Sequence, residues 1–184
     1  MPPILEVHGY HGTRKNCVGS ILTDGFKPSR NEYDWLGDGA YFFQDAPVRA
    51  WEWANKHFGR EAAVVGSLIR LDGCMDLLDI EWSSALAHAY DGFLDQLKRA
   101  EMAVPIQSSG AHRLDRAVIN YAVGALGEAG TIIKSVRAVF AEGAPAFPGS
   151  ALFDRSHVQI AARDLSTILS SWEEKEGESE LGRS

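Results

Sequence analysis

The segment Trp35-Leu36-Gly37-Asp38-Gly39-Ala40-Tyr41-Phe42-Phe43 constrains this chain more than any other stretch. Two glycines free the backbone just ahead of three consecutive aromatic residues, and Asp45-Ala46-Pro47 follows. Adjacent aromatics favour a pleated strand, while proline fits the first turn of a helix. The chain must therefore enter a short strand from a tight turn and leave it into a helix. The N-terminal region repeats that logic. An apolar run from Ile4 to His11 leads into Tyr10-His11-Gly12-Thr13, and then Val18, Ile21 and Leu22 recur at helical spacing before Gly25 closes the segment. It reads as a strand-to-helix turn in which Gly12 permits close approach to the backbone, Thr13 caps the helix and His11 projects above the strand end.

The rest reads as alternating short strands and helices. Ala46 to Phe58 is amphipathic, with Val48, Trp51 and Ala54 on one stripe and Ala50, Trp53 and His57 on the next. Ala63 to Leu71 is a β-branched strand that Asp72-Gly73 turns. Asp76 and Asp79 flank Leu77-Leu78 and read as turn or helix caps, because no third ligand stands at a useful metal spacing. Ser83 to Ala100 and Leu114 to Leu126 follow as helices, serving as support or lid. Strands are expected at Val136 to Ala141, at Ser156 to Ala162 and, briefly, around Ser166 to Leu169. A Gly/Pro-bearing loop spans Glu142 to Ser150.

Composition narrows the function classes. With 184 residues and 45% hydrophobic side chains, residues 1–172 form one domain with a real core. Residues 173–184, rich in glutamate, read as a disordered acidic tail. Eighteen basic against 25 acidic residues give a net charge of −7, which argues against sequence-independent nucleic-acid binding. Cys17 and Cys74 make neither a metal spacing nor a disulfide framework and read as buried small hydrophobes, as in a reducing cytoplasm. No apolar stretch is long enough to span a bilayer and the N-terminus lacks a secretory layout, so a cytoplasmic protein with no membrane partner is expected.

The order HGT, helix, GxGxYF, helix resembles the ADP-ribosyltransferases of the poly(ADP-ribose) polymerase-like branch, whose site is summarised as His–Tyr–Glu. Residues 7 to 54 carry the resemblance. It implies an α+β domain with a split, strongly twisted β core flanked by helices, and NAD as substrate. By the same resemblance, His11 binds the adenosine ribose and Gly12 holds the nicotinamide amide through its backbone. Tyr41 stacks on the nicotinamide and Trp53 covers its other face; Thr13 completes the cofactor-binding string. Trp35 lines the acceptor or adenine side, or else anchors its loop.

The third position departs from the family. The resemblance puts a glutamate at the start of a strand after a long loop, where it bonds the nicotinamide-ribose 2′-hydroxyl. Here that stretch is Ser156-His157-Val158-Gln159-Ile160. Three residues are candidates for the catalytic role: Gln159, whose amide oxygen can accept from a hydroxyl; Glu142, the nearby carboxylate; and His157, which shares a strand face with Gln159. Replacing a charge by an amide costs on the order of 10²-fold in stabilising the oxocarbenium-like transition state. Single ADP-ribose transfer to a macromolecule, protein or nucleic acid, is therefore expected rather than polymer elongation. Small domains of this type imply a bacterial toxin or anti-phage effector with an antitoxin or inhibitor protein as partner. The alternatives are an NAD glycohydrolase and a non-catalytic NAD- or ADP-ribose-binding module.

Overall fold

Buried Val7 and Gly9 alternate with exposed Glu6 and His8 in the first strand, β1 (Glu6–Arg14), and helix α1 (Lys15–Asp24) follows directly. In the computed structural model, which describes residues 4–108 and 110–177, the chain continues as β2 (Ala40–Gln44), α2 (Pro47–Phe58), β3 (Ala62–Arg70), β4 (Cys74–Asp76), α3 (Ile80–Arg99), α4 (Arg113–Glu128), β5 (Ser135–Phe140), β6 (His157–Ala162) and β7 (Ile168–Glu174). The strands form one mixed sheet in the order β4-β5-β6-β2-β1-β3-β7. Only β4 and β5 are parallel. This is an α+β architecture, a seven-stranded sheet flanked by four helices.

The sheet has a waist. β1 and β3 pair along their whole length, from Glu6↔Arg70 to Arg14↔Ala62, and β2 pairs with β6 from Ala40↔Ala162 to Gln44↔Val158. Between them, β1 and β2 share the ladder Gly9↔Gln44 and Tyr10↔Phe43, with Asp45 N donating to His8 O beside it. The β core is thus one continuous seven-stranded sheet in which β1 and β2 share a short ladder.

Packing follows from alternation. On one face α1 covers Val7, Phe42, Val65, Ile69 and Ile160, with Val18 and Phe26 closing the cluster. On the other, α2 covers Phe43, Ala62 and Val64 through Ala50 and Ala54. The α3–α4 pair covers the far half of that face, where Leu36, Met75, Val136 and Ala161 are buried with Ile119 and Ala122. Each fully buried Phe, Leu or Ile contributes roughly 1.5–3 kcal/mol of transfer free energy. α2 and the α3–α4 pair thus cover separate stretches of the same face, the first over Phe43 and Val64, the second over Val136 and Ala161.

Several expectations change. β1 runs through His11-Gly12-Thr13 to Arg14, so Thr13 is a buried strand residue opposite Ala63 and caps nothing; Arg14 precedes α1 and makes no side-chain cap. β4 was not expected. Its three residues, Cys-Met-Asp, are too short to show a period. The last strand is longer than expected because Glu173 and Glu174 pair with Val65 and Val64, so the acidic tail does not begin at Glu173. Residues 178–184 lie outside the described residues. Asp79 caps α3 by accepting from Glu81 N, while Asp76 accepts from Leu78 N and pairs with Arg137. Cys17 and Cys74 are both free and half-buried rather than buried, and burial pushes the Cys74 thiol up to about 11. No helix of the described residues is long and apolar enough to cross a membrane.

Candidate functional site

The waist sets the geometry. Leu71 N donates to Leu5 O on the β3 side of β1, and Asp45 N donates to His8 O on the β2 side. An antiparallel strand alternates its hydrogen-bonding direction residue by residue, so Tyr10 and Gly12 point their N–H and C=O groups toward β2. Continuing the register Gly9↔Gln44, Tyr10↔Phe43 would pair Gly12 with Tyr41. That pair does not form. The Tyr41 carbonyl instead accepts from His11 Nδ1 at 2.8 Å, which fixes the His11 tautomer with the proton on Nδ1. Gly12 is left in the mouth of a fork, with no strand partner on the β2 side.

On the helical face Gly12 lies directly beneath α2. A Cβ there would come within 2.7 Å of Trp53 Cε3 and 3.1 Å of the Ala50 carbonyl oxygen, so only glycine fits. The Trp53 indole is held in turn by the His57 ring, stacked at 4.1 Å, and by the edge of Phe58. Tyr41 faces the same side from β2. Its hydroxyl donates to Gly37 O at 2.7 Å and accepts from Leu36 N at 2.9 Å, so the phenol closes the glycine turn that precedes its own strand; burial holds its pKa well above the usual tyrosine range. Gly37 has φ +79°, and a Cβ there would strike Asn120 Oδ1 and Arg163 Nη1. His11 sits on the opposite face, against Phe26 and Phe42. Burial lowers its pKa despite the bond to Tyr41.

No protein-family model, curated protein or solved structure matches this chain. Its chemistry is therefore read from its own side chains.

The third candidate position is a relay. His157 Nδ1 donates to Arg155 O at 2.7 Å, which leaves Nε2 to accept from Gln159 Nε2 at 2.9 Å; Gln159 Oε1 accepts from the Trp35 indole N–H at 2.7 Å. The shared face expected of His157 and Gln159 is realised on β6. Burial lowers the His157 pKa, in keeping with a neutral ring that accepts at Nε2. The Gln159 oxygen keeps a second lone pair. Its ring neighbours are aromatic: Phe43 stands 4.9 Å from His157, and Phe140 lies 4.8 Å from Trp35.

Glu142 does not join Gln159. It binds Arg49 of α2 at 2.5 Å, and Arg49 lies over the Phe43 ring and pairs with Glu52, which also holds Arg155. A carboxylate so engaged offers little free charge to a developing cation. Arg49, Glu52 and Arg155 were not expected at the site, and their sequence neighbourhoods carry no motif that marks them. Trp35 was expected to line the acceptor or adenine side or to anchor its loop, and its indole ties that loop to β6 through Gln159. Two cavities, about 320 and 500 Å³, run along α3 and α4, and Trp35, which bonds Gln159, lines the second.

Proposed function

We propose that the chain binds NAD in the β1–β2 fork and transfers ADP-ribose from it. The observation that carries this is Gly12 beneath Trp53, facing β2 without a ladder partner there, with Tyr41 on the facing strand. A primary carboxamide on a flat ring fits there: its oxygen accepts from Gly12 N–H, its amino group donates to Gly12 O, and its ring packs against an aromatic side chain. Nicotinamide is such a group. His11, across the sheet at the same fork, takes the adenosine ribose, as the resemblance to the His–Tyr–Glu transferases implies.

The leaving nicotinamide departs as an oxocarbenium-like ribose forms, and the ribose hydroxyl is met by the second lone pair of Gln159 Oε1, held in place by Trp35 and His157. With no uncompensated carboxylate there, the reading favours slow transfer of single ADP-ribose units to a macromolecule, as a toxin or anti-phage effector would do, with an inhibitor protein as its natural partner. A second reading is favoured by the pairing of Glu142 with Arg49 and of His157 with Arg155 and Gln159, which leaves no free charge at the ribose: a module that binds NAD or ADP-ribose without turning it over.

Incubation with labelled NAD and cell lysate, followed by separate nuclease and protease digestion, decides between them. Transfer leaves label on one digestible fraction; the same site acting as a glycohydrolase releases free ADP-ribose without an acceptor. Gln159→Ala should lower turnover at least about tenfold, roughly 1.4 kcal/mol, and more than Glu142→Ala or His157→Ala. If Glu142→Gln abolishes activity and Gln159→Ala keeps it, the assignment moves to Glu142. Binding without turnover selects the module, and absence of NAD binding ends both readings.

A further inference from the structure

We propose that His11 is a positioning residue that holds the fork open, by occupying the one acceptor that would otherwise zip β1 to β2. Three observations converge on the Tyr41 carbonyl. The β1–β2 register leads from Tyr10↔Phe43 to Gly12 opposite Tyr41. The bonds Leu71 N to Leu5 O and Asp45 N to His8 O set the alternation that aims Gly12 N–H at β2. The oxygen it would reach is taken by His11 Nδ1 at 2.8 Å. The ring can do this because it is braced in place by Phe26, whose ring centroid lies 5.3 Å away, and by Phe42 at 5.8 Å. A side-chain donor thus substitutes for a main-chain donor, and the displaced Gly12 amide becomes available to a ligand.

The ligand consequence rests on the reading of the fork as the nicotinamide site; the wedge itself does not. Without the ring, Gly12 N–H has a carbonyl within the continued register, and an unsatisfied buried amide costs enough to drive pairing. His11→Ala should then let the ladder extend by one pair and close the site. His11→Asn should not, because the asparagine amide nitrogen lies near the position of Nδ1 and can donate to the same oxygen.

The test is NMR on isotope-labelled full-length protein. In the wild type the Gly12 amide should show no through-hydrogen-bond coupling to the Tyr41 carbonyl carbon. In His11→Ala that coupling should appear and amide exchange at Gly12 should slow by roughly tenfold or more, as for an amide newly paired in a ladder. His11→Asn should behave as wild type in both measurements. NAD affinity, measured by calorimetry on the same three proteins, should fall for both variants, which lose the ring's contact with the ribose, and fall further for His11→Ala, in which the fork also closes. A wild-type Gly12 amide already coupled to Tyr41, or a folded His11→Ala protein whose Gly12 amide is unchanged, overturns the wedge. Should His11→Ala not fold, His11→Phe, which keeps the ring packing and removes the donor, takes its place with the same expected outcome. Failure of all proteins to bind NAD, with the amide results as expected, overturns the ligand reading alone.

Discussion

Replacing Gly12 by alanine tests the packing on which the candidate site depends. The added Cβ would lie 2.7 Å from Trp53 Cε3, 3.1 Å from the Ala50 carbonyl oxygen and 3.3 Å from Ala54 Cβ. Ordinary contact begins near 3.4 Å, so the indole must retreat by about 0.7 Å. It has little room to do so, since His57 stacks on it at 4.1 Å, and the Ala50 oxygen belongs to the α2 backbone. Gly12 is not among the residues of positive φ, so the cost is steric rather than conformational. Overpacking of this kind costs about 1–3 kcal/mol, and the lower chain entropy of alanine in the unfolded state returns about 0.4–1 kcal/mol. The net is about 1–2 kcal/mol, or a fall in Tm of about 2–8 °C for a domain of this size. Urea denaturation of the four proteins in a Gly12→Ala, Trp53→Ala cycle checks it. With the indole gone the alanine should cost at least about 0.5 kcal/mol less. Equal costs in the two backgrounds, or a Gly12→Ala protein as stable as the wild type, would refute the contact between β1 and Trp53.

Two further outcomes follow from buried polar groups. Tyr41→Phe removes the hydroxyl that bridges Leu36 N and Gly37 O and should destabilise the fold by about 1–3 kcal/mol in urea denaturation; a loss below about 0.5 kcal/mol would show that water replaces the phenol. His11 and His157 both titrate below the ordinary histidine range because burial disfavours their charged forms, so the unfolded chain binds more protons than the folded one just below about pH 6.5. Their contribution to stability is complete above that value and is lost as the pH falls toward the lowered values. Between about pH 7.5 and about pH 5.5 the urea midpoint should therefore fall less in His157→Gln than in the wild type; an equal fall removes His157 from the account.

The elements with long local signals were legible in the sequence. Gly37 before Tyr41-Phe42-Phe43, and Pro47 opening α2, mark their own geometry because the turn and the first helical turn are local events. Helix α1 ends at Gly25, at φ +84°, for the same reason. The candidate site was legible in part: His157 and Gln159 share a face by strand periodicity, and Gly12 needs its bare Cα. Thr13 misled because threonine before a helical pattern is a common cap signal, and nothing local says that β1 continues past it. The Arg49–Glu142 pair and the Trp35–Gln159 bond join residues far apart in the chain, and tertiary pairing of that kind leaves no periodic trace. β4 is defined by its partner β5 alone.

The strand order also governs when the sheet can assemble during synthesis. β1 and β3 can pair as soon as Arg70 has been made, but β6, the other neighbour of β2, arrives only with Ala162, and the edge strand that packs Trp172 over Gly66 later still. At translation rates of about 5–20 residues per second, the open edge of β2 and the aromatic side chain of Phe42 wait on the order of ten seconds for cover. The nascent chain thus emerges with one edge of an aromatic strand open beside the β1–β3 pair. A ribosome-associated chaperone, or the early burial of Phe42 against α1, has to guard that interval, and the half of the sheet made first is the half that carries His11 and Gly12.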